Sequence, residues 1–239
     1  MTAATRGRLG IPRVHLRQTE STNTVARELA ARGAPHGTLV TTDQQTAGRG
    51  RQGRAWSAPR GTSLLCSWVI RSDPPAPLLS LAAGVAVAQL AGEQALVKWP
   101  NDVLIDRRKV SGILVEGRPQ ERWAVLGIGI NVALKPEELP EELRDRAATL
   151  GLTAGDIEPT LARLRYGLER WLSASDAEVL RAVRALDALL GQPVGWDGGS
   201  GTGAGIDDSG RLIVTRPDGS SVALDAGEVH LGLAPSLQS

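Results

Sequence analysis

Phenylalanine is missing from this chain, tyrosine occurs once, and aromatic residues make up only 3% of its 239 residues. Valine, leucine, isoleucine and alanine must therefore fill the interior, and a hydrophobic content of 41% is ample for that. A single cysteine, Cys66, excludes a disulfide framework and a cysteine-based zinc cluster. Its setting, Leu64-Leu65-Cys66-Ser67-Trp68, reads as a buried strand with an inert thiol. The three histidines, His15, His36 and His230, have no ligand spacing, so no metal site is expected. Charge of one sign is scarce as well. Lys and Arg number 27 against 26 Asp and Glu, a net +1 that argues against general adhesion to polyanions. Long hydrophobic runs are lacking too. The first residues hold no apolar stretch of the secretory kind. The most apolar segment, Pro77 to Ala91, is short and broken by Ser80 and Gln89, which excludes a membrane span. The expectation is a cytoplasmic protein without a membrane partner.

Against this near-neutral background, positive charge collects at one place. Gly48-Arg49-Gly50-Arg51-Gln52-Gly53-Arg54-Ala55-Trp56 alternates glycine with arginine and ends in an indole. From Asp43 to Arg60 there are four arginines and one aspartate, a local +3. Glycine lets main-chain N–H groups approach a ligand closely, and the guanidinium fork suits carboxylate or phosphate. A local field of this kind points to an anionic ligand; a solvated basic loop is the plainer alternative.

The chain order suggests an α+β protein. A strand at Arg13–Leu16 precedes Thr19-Glu20-Ser21-Thr22-Asn23, where Ser21 or Thr22 would cap a helix that stops at Gly33. Strands are expected at Gly37–Asp43, Thr62–Ile70, Ala95–Trp99 and Arg122–Val132, with a hairpin of Val103–Ile105 and Lys109–Glu116. Asp73 to Pro77 reads as a turn into a helix ending near Gly92. Pro136 to Glu142 reads as a loop or short helix, followed by helices over Pro159–Leu172 and Ala177–Leu190. After Leu190, turns at Gly198-Gly199, Asp208-Ser209-Gly210 and Pro217-Asp218-Gly219 separate short β-rich runs, the last of them Glu228–Leu231. That spacing suggests a small antiparallel barrel, hence a domain over 1–190 and a second over 191–239.

Three further stretches carry chemistry. Lys98-Trp99-Pro100-Asn101-Asp102 places polar groups at a strand end, where a cleft can receive them; an ordinary turn is the alternative. Lys109 opens Lys109-Val110-Ser111-Gly112-Ile113-Leu114-Val115-Glu116, and strict alternation puts Lys109 and Gly112 on opposite faces unless a bulge intervenes. In Gly127-Ile128-Gly129-Ile130-Asn131-Val132 the two-residue period gives one oily face and one bare face. Glycine in a strand marks close approach of a ligand or of packed protein.

Taken together, Thr19–Asn23, Gln45–Trp56, Lys98–Asp102, Lys109–Glu116 and Gly127–Val132 resemble the biotin protein ligases (biotin–[acetyl-CoA-carboxylase] ligases). Gly205-Ile206-Asp207-Asp208-Ser209-Gly210 resembles that family's C-terminal barrel. The resemblance implies a catalytic domain of the class II aminoacyl-tRNA-synthetase/biotin-ligase kind, a mostly antiparallel sheet with flanking helices. It implies that biotin and MgATP, both as substrates, give biotinyl-AMP and pyrophosphate, and that a lysine of a biotin carboxyl-carrier domain then displaces AMP. No tightly bound cofactor is implied. By residue, the resemblance assigns biotin to Ser21, Thr22, Asn23, Gln45, Arg49, Gly50, Arg51, Trp56, Lys109 and Gly112. It assigns the nucleotide to Arg49, Arg51, Arg54, Asn101, Lys109 and Asn131. Arg51, Lys109 and Asp102 take the catalytic roles, with Lys109 bridging biotin carboxylate and α-phosphate and Asp102 near the attacking lysine. The repressor members' DNA-binding extension has no counterpart before Arg13, so no DNA partner is expected; oligomeric state stays open. Two alternatives remain at this level. One is a lipoate or octanoate ligase of the same fold. The other is a nucleic-acid-binding module, for which a single Tyr and a pI near 8.0 give little stacking or basic surface.

Overall fold

The computed structural model describes residues 8–71, 78–118, 122–225, 227 and 229–231. The turn expected at Asp73 to Pro77 and Glu228 of the last β-run lie outside those residues. Strand β1 (Arg13–Leu16) leads into helix α1 (Thr22–Ala31), which crosses over to β2 (Leu39–Thr42). β1 and β2 pair in parallel, the arrangement that a helical crossover permits. Then come β3 (Ser63–Arg71), helix α2 (Leu79–Ala91), β4 (Ala95–Lys98), β5 (Asp102–Ile105), β6 (Arg108–Arg118) and β7 (Trp123–Asn131). These seven strands form one sheet in the order β1-β2-β3-β7-β6-β5-β4, antiparallel after the first pair.

Alternation along β3 and β7 decides what each face does. Leu64, Cys66, Trp68 and Ile70 of β3, with Leu126, Ile128 and Ile130 of β7, enter the main core beneath α2 and a later helix over Ile157–Trp171. On the opposite face, Val69 and Val125 pack against Ala26 and Ala30 of α1. Further along that same face the side chains become Leu65, Ser67, Gly127, Gly129 and Asn131. The α1-covered face thus loses its bulk where the helix begins, and a trough opens there.

The acidic segment after β7 forms a short 3₁₀ turn, Pro136–Glu138, and one helical turn, α3 (Glu141–Arg144). Helices α4 (Ile157–Trp171) and α5 (Asp176–Ala185) follow, both packed on α2. Ser175 and Glu178 form a reciprocal capping box at the start of α5. The expected helix to Leu190 stops at Ala185, because the next residues are recruited to the edge of β4. Val97 N–H donates to Leu186 O at 2.8 Å, and Ala188 N–H donates to Val97 O at 3.0 Å. This covers an edge that would otherwise expose a row of unpaired main-chain groups.

Strands β8 (Pro193–Trp196), β9 (Gly199–Ile206), β10 (Leu212–Thr215), β11 (Ser221–Leu224) and β12 (His230–Leu231) build a second antiparallel sheet, ordered β11-β10-β9-β8-β12. The expected barrel is open among the described residues, since β11 and β12 are not paired with each other. Its apolar side, with Val194, Ile206, Leu212 and Val214, joins the same core as the first sheet. Among the described residues no helix is long and apolar enough to cross a membrane.

Candidate active site

The trough is organised by register. Lys98 pairs with Asp102, Asp102 with Gly112, Gly112 with Gly129, and Gly129 with Leu65. One row of Cα partners thus crosses five strands, running from a lysine and an aspartate to a glycine floor. The bulge that could reconcile Lys109 with Gly112 is present: β5 residues Val103 and Leu104 face Ser111 and Lys109, leaving Val110 as the extra residue. It falls two positions before Gly112 rather than at the glycine. Lys109, Asp102 and Gly112 consequently share the trough face, while Val110 drops into the core.

One end of the trough is polar and uncharged. Ser21 occupies the N-cap position of α1, but its hydroxyl makes no cap bond. The cap comes from outside the helix, where Gln45 Oε1 accepts from Thr22 N–H at 2.8 Å and lies 3.1 Å from Thr22 Oγ1. Ser67 Oγ donates to Asn23 Oδ1 at 2.6 Å and lies 2.7 Å from Thr22 Oγ1. Asn23 Nδ2 donates to Glu116 Oε2 at 2.7 Å. A side chain at Gly127 would overlap the Asn23 carboxamide, so close packing by the protein itself is one reason for glycine there.

The other end is cationic. Asp102 Oδ1 lies 2.6 Å from Lys109 Nζ and its Oδ2 lies 3.8 Å from Lys98 Nζ. Burial pushes the Lys98 ammonium below its ordinary pKa; Asp102 opposes this, while Lys109, Arg54 and Arg146 add to it. Burial likewise lowers Arg51, with Asp102 partly offsetting it, and Arg51 Nη1 donates to Asn101 Oδ1 at 3.3 Å. Cations outnumber the one carboxylate among them, which leaves this end electropositive and prepared for an anion.

The glycine–arginine stretch folds as a hairpin over the trough. Gly50 N–H donates to Arg54 O at 2.7 Å and Trp56 N–H to Gly48 O at 2.9 Å, closing a 3₁₀ turn over Arg51–Gly53. The Trp56 indole lies flat against the floor. A Cβ at Gly129 would sit 2.6 Å from its ring, and Lys109 Nζ stands 5.6 Å from the ring centroid, a cation–π contact. The buried Trp56 Nε1–H has no hydrogen-bond partner. Cys66 lies beneath the floor, where burial raises its thiol well above the ordinary value, and it has no nucleophilic character.

All the residues to which the resemblance gives a biotin, nucleotide or catalytic role line this cavity except Asn131. Asn131 is buried on the trough face beyond Gly129, donating to Ala148 O at 2.9 Å and Lys109 O at 3.4 Å and accepting from Ser63 Oγ at 3.3 Å. It braces the strand that carries Lys109. Trp99 also serves the framework: its indole N–H donates to Gly210 O at 2.9 Å, tying the first sheet to the β9–β10 turn of the second. Arg49 reaches the cavity, but its guanidinium is engaged by Glu116 Oε2 at 3.3 Å and Thr24 Oγ1 at 3.2 Å. The sequence reading left out Lys98, although it opens a motif already singled out. It also missed Ser67, whose alternation with Cys66 places it opposite the core. Gly227 and Val229 line the cavity from the second sheet's side and carried no local signal.

Residues 15–132 match the Biotin/lipoate A/B protein ligase family, and residues 181–232 match the Biotin protein ligase C terminal domain. The chain is 36% identical over 236 residues to the biotin–[acetyl-CoA-carboxylase] ligase of Mycobacterium tuberculosis, covering 90% of this chain and 87% of that protein. It is 46% identical over 146 residues to the bifunctional ligase/repressor BirA of Bacillus subtilis. That match covers 57% of this chain and 45% of the relative, so the chain spans under half of that protein. Among solved structures, the biotin protein ligase of Aquifex aeolicus in complex with biotin and ATP superposes with a TM-score of 0.77 at 29% identity, covering 92% of this chain and 98% of that one. The wider class is thus the biotin and lipoate protein ligases. Within it, the chain belongs to the biotin protein ligase family.

Proposed function

We propose that this protein activates biotin with ATP and transfers it to a lysine of a biotin carboxyl-carrier domain. In the first step a biotin carboxylate oxygen attacks the α-phosphorus, forming biotinyl-AMP and releasing pyrophosphate. In the second, the carrier amine attacks the acyl carbon, AMP leaves, and an amide forms with loss of a proton. Joining a carboxylate to a triphosphate requires cations before any bond forms, and positioning with electrostatics does most of the work. Lys109 and Arg51 supply that charge, with Lys98 and Arg54 flanking them and Asn101 orienting Arg51. Asp102 keeps Lys109 and Lys98 at close quarters as their common counter-ion. Ser21, Thr22, Asn23 and Gln45 read the polar ring of biotin, Gly50 and Gly112 leave room for it, and Trp56 covers the chain. Arg49 holds the hairpin, and Asn131 acts on the nucleotide through Lys109. Magnesium arrives with the triphosphate as part of the substrate.

Residues 1–190 form the catalytic unit in this reading and 191–239 an accessory one that walls the cavity through Gly227 and Val229. The protein acts in the cytoplasm, and its basic hairpin serves the cavity, so the proposal includes no DNA partner. The observation that carries the proposal is the two-ended trough: hydrogen-bonding groups at one end, cations at the other, a bare floor between. An octanoate or lipoate tail carries no hydrogen-bonding ring to meet Ser21, Thr22, Asn23 and Gln45, so the polar end gives it no hydrogen bonds. The test is ATP–pyrophosphate exchange by the purified protein with each acid in turn. Exchange with biotin and none with octanoate or lipoate is expected; exchange with octanoate, or with no acid at all, contradicts the proposal.

A further inference from the structure

Among the described residues, Glu116 is the one carboxylate that touches both the polar end of the trough and the hairpin above it. It sits on β6 opposite Val125, on the trough face, with its side chain 23% exposed. Oε2 accepts from Asn23 Nδ2 at 2.7 Å and from Arg49 Nη2 at 3.3 Å. Oε1 lies 3.6 Å from Arg27 Nη1. Three elements, α1, β6 and the glycine–arginine hairpin, therefore meet on one charge.

We infer that Glu116 is a positioning residue for biotin, acting through Asn23 and Arg49. The inference rests on the biotin-ligase reading above and adds to it how the polar end is oriented. With its amide nitrogen held by a carboxylate and its oxygen held by Ser67, the Asn23 carboxamide has a single allowed orientation. Ser67 must then spend its proton on Asn23 and accept the proton of Thr22, while Gln45 Oε1 keeps the Thr22 N–H as its donor. The direction of the hydrogen-bond chain is thereby set from Glu116, and with it which groups can donate to a ligand and which can accept. The same carboxylate holds Arg49, which also donates to Thr24, so the hairpin bearing Arg51 and Trp56 is fastened to the sheet and to α1.

Glutamine at 116 cannot meet both demands. Its oxygen can accept from Asn23 only if its amide nitrogen turns toward the arginines, and its charge is gone. Steady-state pyrophosphate exchange with full-length native, Glu116→Gln and Glu116→Asp proteins tests this. For Glu116→Gln, a rise in KM for biotin of about tenfold is expected, with KM for ATP within about twofold of native and cooperative unfolding retained. Glu116→Asp, which keeps the charge on a shorter stem, should recover part of the biotin KM. An unchanged biotin KM in Glu116→Gln overturns the assignment. So does an equal rise in both KM values accompanied by a lower unfolding midpoint, which is the signature of general loosening. If the native protein shows no biotin-dependent exchange, the ligase reading itself fails; normal native exchange with an indifferent Glu116→Gln removes only the role of Glu116.

Discussion

Lys98, Asp102 and Lys109 show how single residues in this site depend on one another. Taken alone, each lysine is a partly buried ammonium beside other cations, and only the shared carboxylate makes the cluster tenable. A residue far from the cluster offers a separate reading of burial. His36 precedes β2, with Nδ1 3.1 Å from Arg71 N and 3.2 Å from Arg71 O. Burial lowers its pKa below the ordinary 6.5, and the hydrogen bond to Arg71 only partly opposes that. Because the folded value is the depressed one, the unfolded chain takes up the proton first as pH falls through 6.5. Stability should therefore decline between 6.5 and the lower folded pKa, then level off for this group. His230 is shifted in the same direction and adds to the slope. Urea midpoints measured at pH about 7 and about 5.5 should show a smaller acid loss in His36→Gln than in native protein. Equal losses in the two proteins would mean that His36 titrates normally.

At the scale of elements, much of the site is legible in the amino-acid sequence. The two-residue period of Gly127 to Val132 correctly separates an oily face from a bare one, and the possibility of a bulge between Lys109 and Gly112 shows as a conflict of phase. Such patterns are local, so a single strand displays them. Other features are tertiary and leave no local trace. The end of α5 at Ala185 depends on the edge of β4, and the engagement of Arg49 depends on Glu116, 67 residues away. Trp99 lines the cavity as its neighbours do, but its indole N–H is spent on a carbonyl in the β9–β10 turn, which no local pattern shows. What the bare face is for can be tested at Gly129, where the φ angle is ordinary and only space is at stake. Gly129→Val would drive Trp56 off the floor. Overpacking of this kind costs about 1–3 kcal/mol, which in binding corresponds to about tenfold or more. A rise of that size in the dissociation constant for biotin, measured by calorimetry on a protein that still unfolds cooperatively, is the expected outcome. Native affinity in the variant would show that the glycine floor serves internal packing alone.

The whole molecule brings together what no one element holds. α1 and Gln45 supply the polar end, β4 to β6 the lysines and the aspartate, and the hairpin the roof, while the second sheet reaches the cavity with Gly227 and Val229. The core that supports them is continuous across both sheets, from Trp68 to Val214, and the Trp99–Gly210 bond fixes their junction. In the proposed reaction this assembly brings a carboxylate and a triphosphate together by surrounding their meeting point with cations. Lys109, between the floor and the cation cluster, stands nearest that point. Biotin-dependent pyrophosphate exchange by native protein and Lys109→Ala, at saturating biotin and ATP, measures its contribution directly. Loss of one charge-assisted contact in a water-excluded site costs roughly 3 kcal/mol, so exchange should fall about a hundredfold or more. Exchange at the native rate in a folded Lys109→Ala protein would contradict the account.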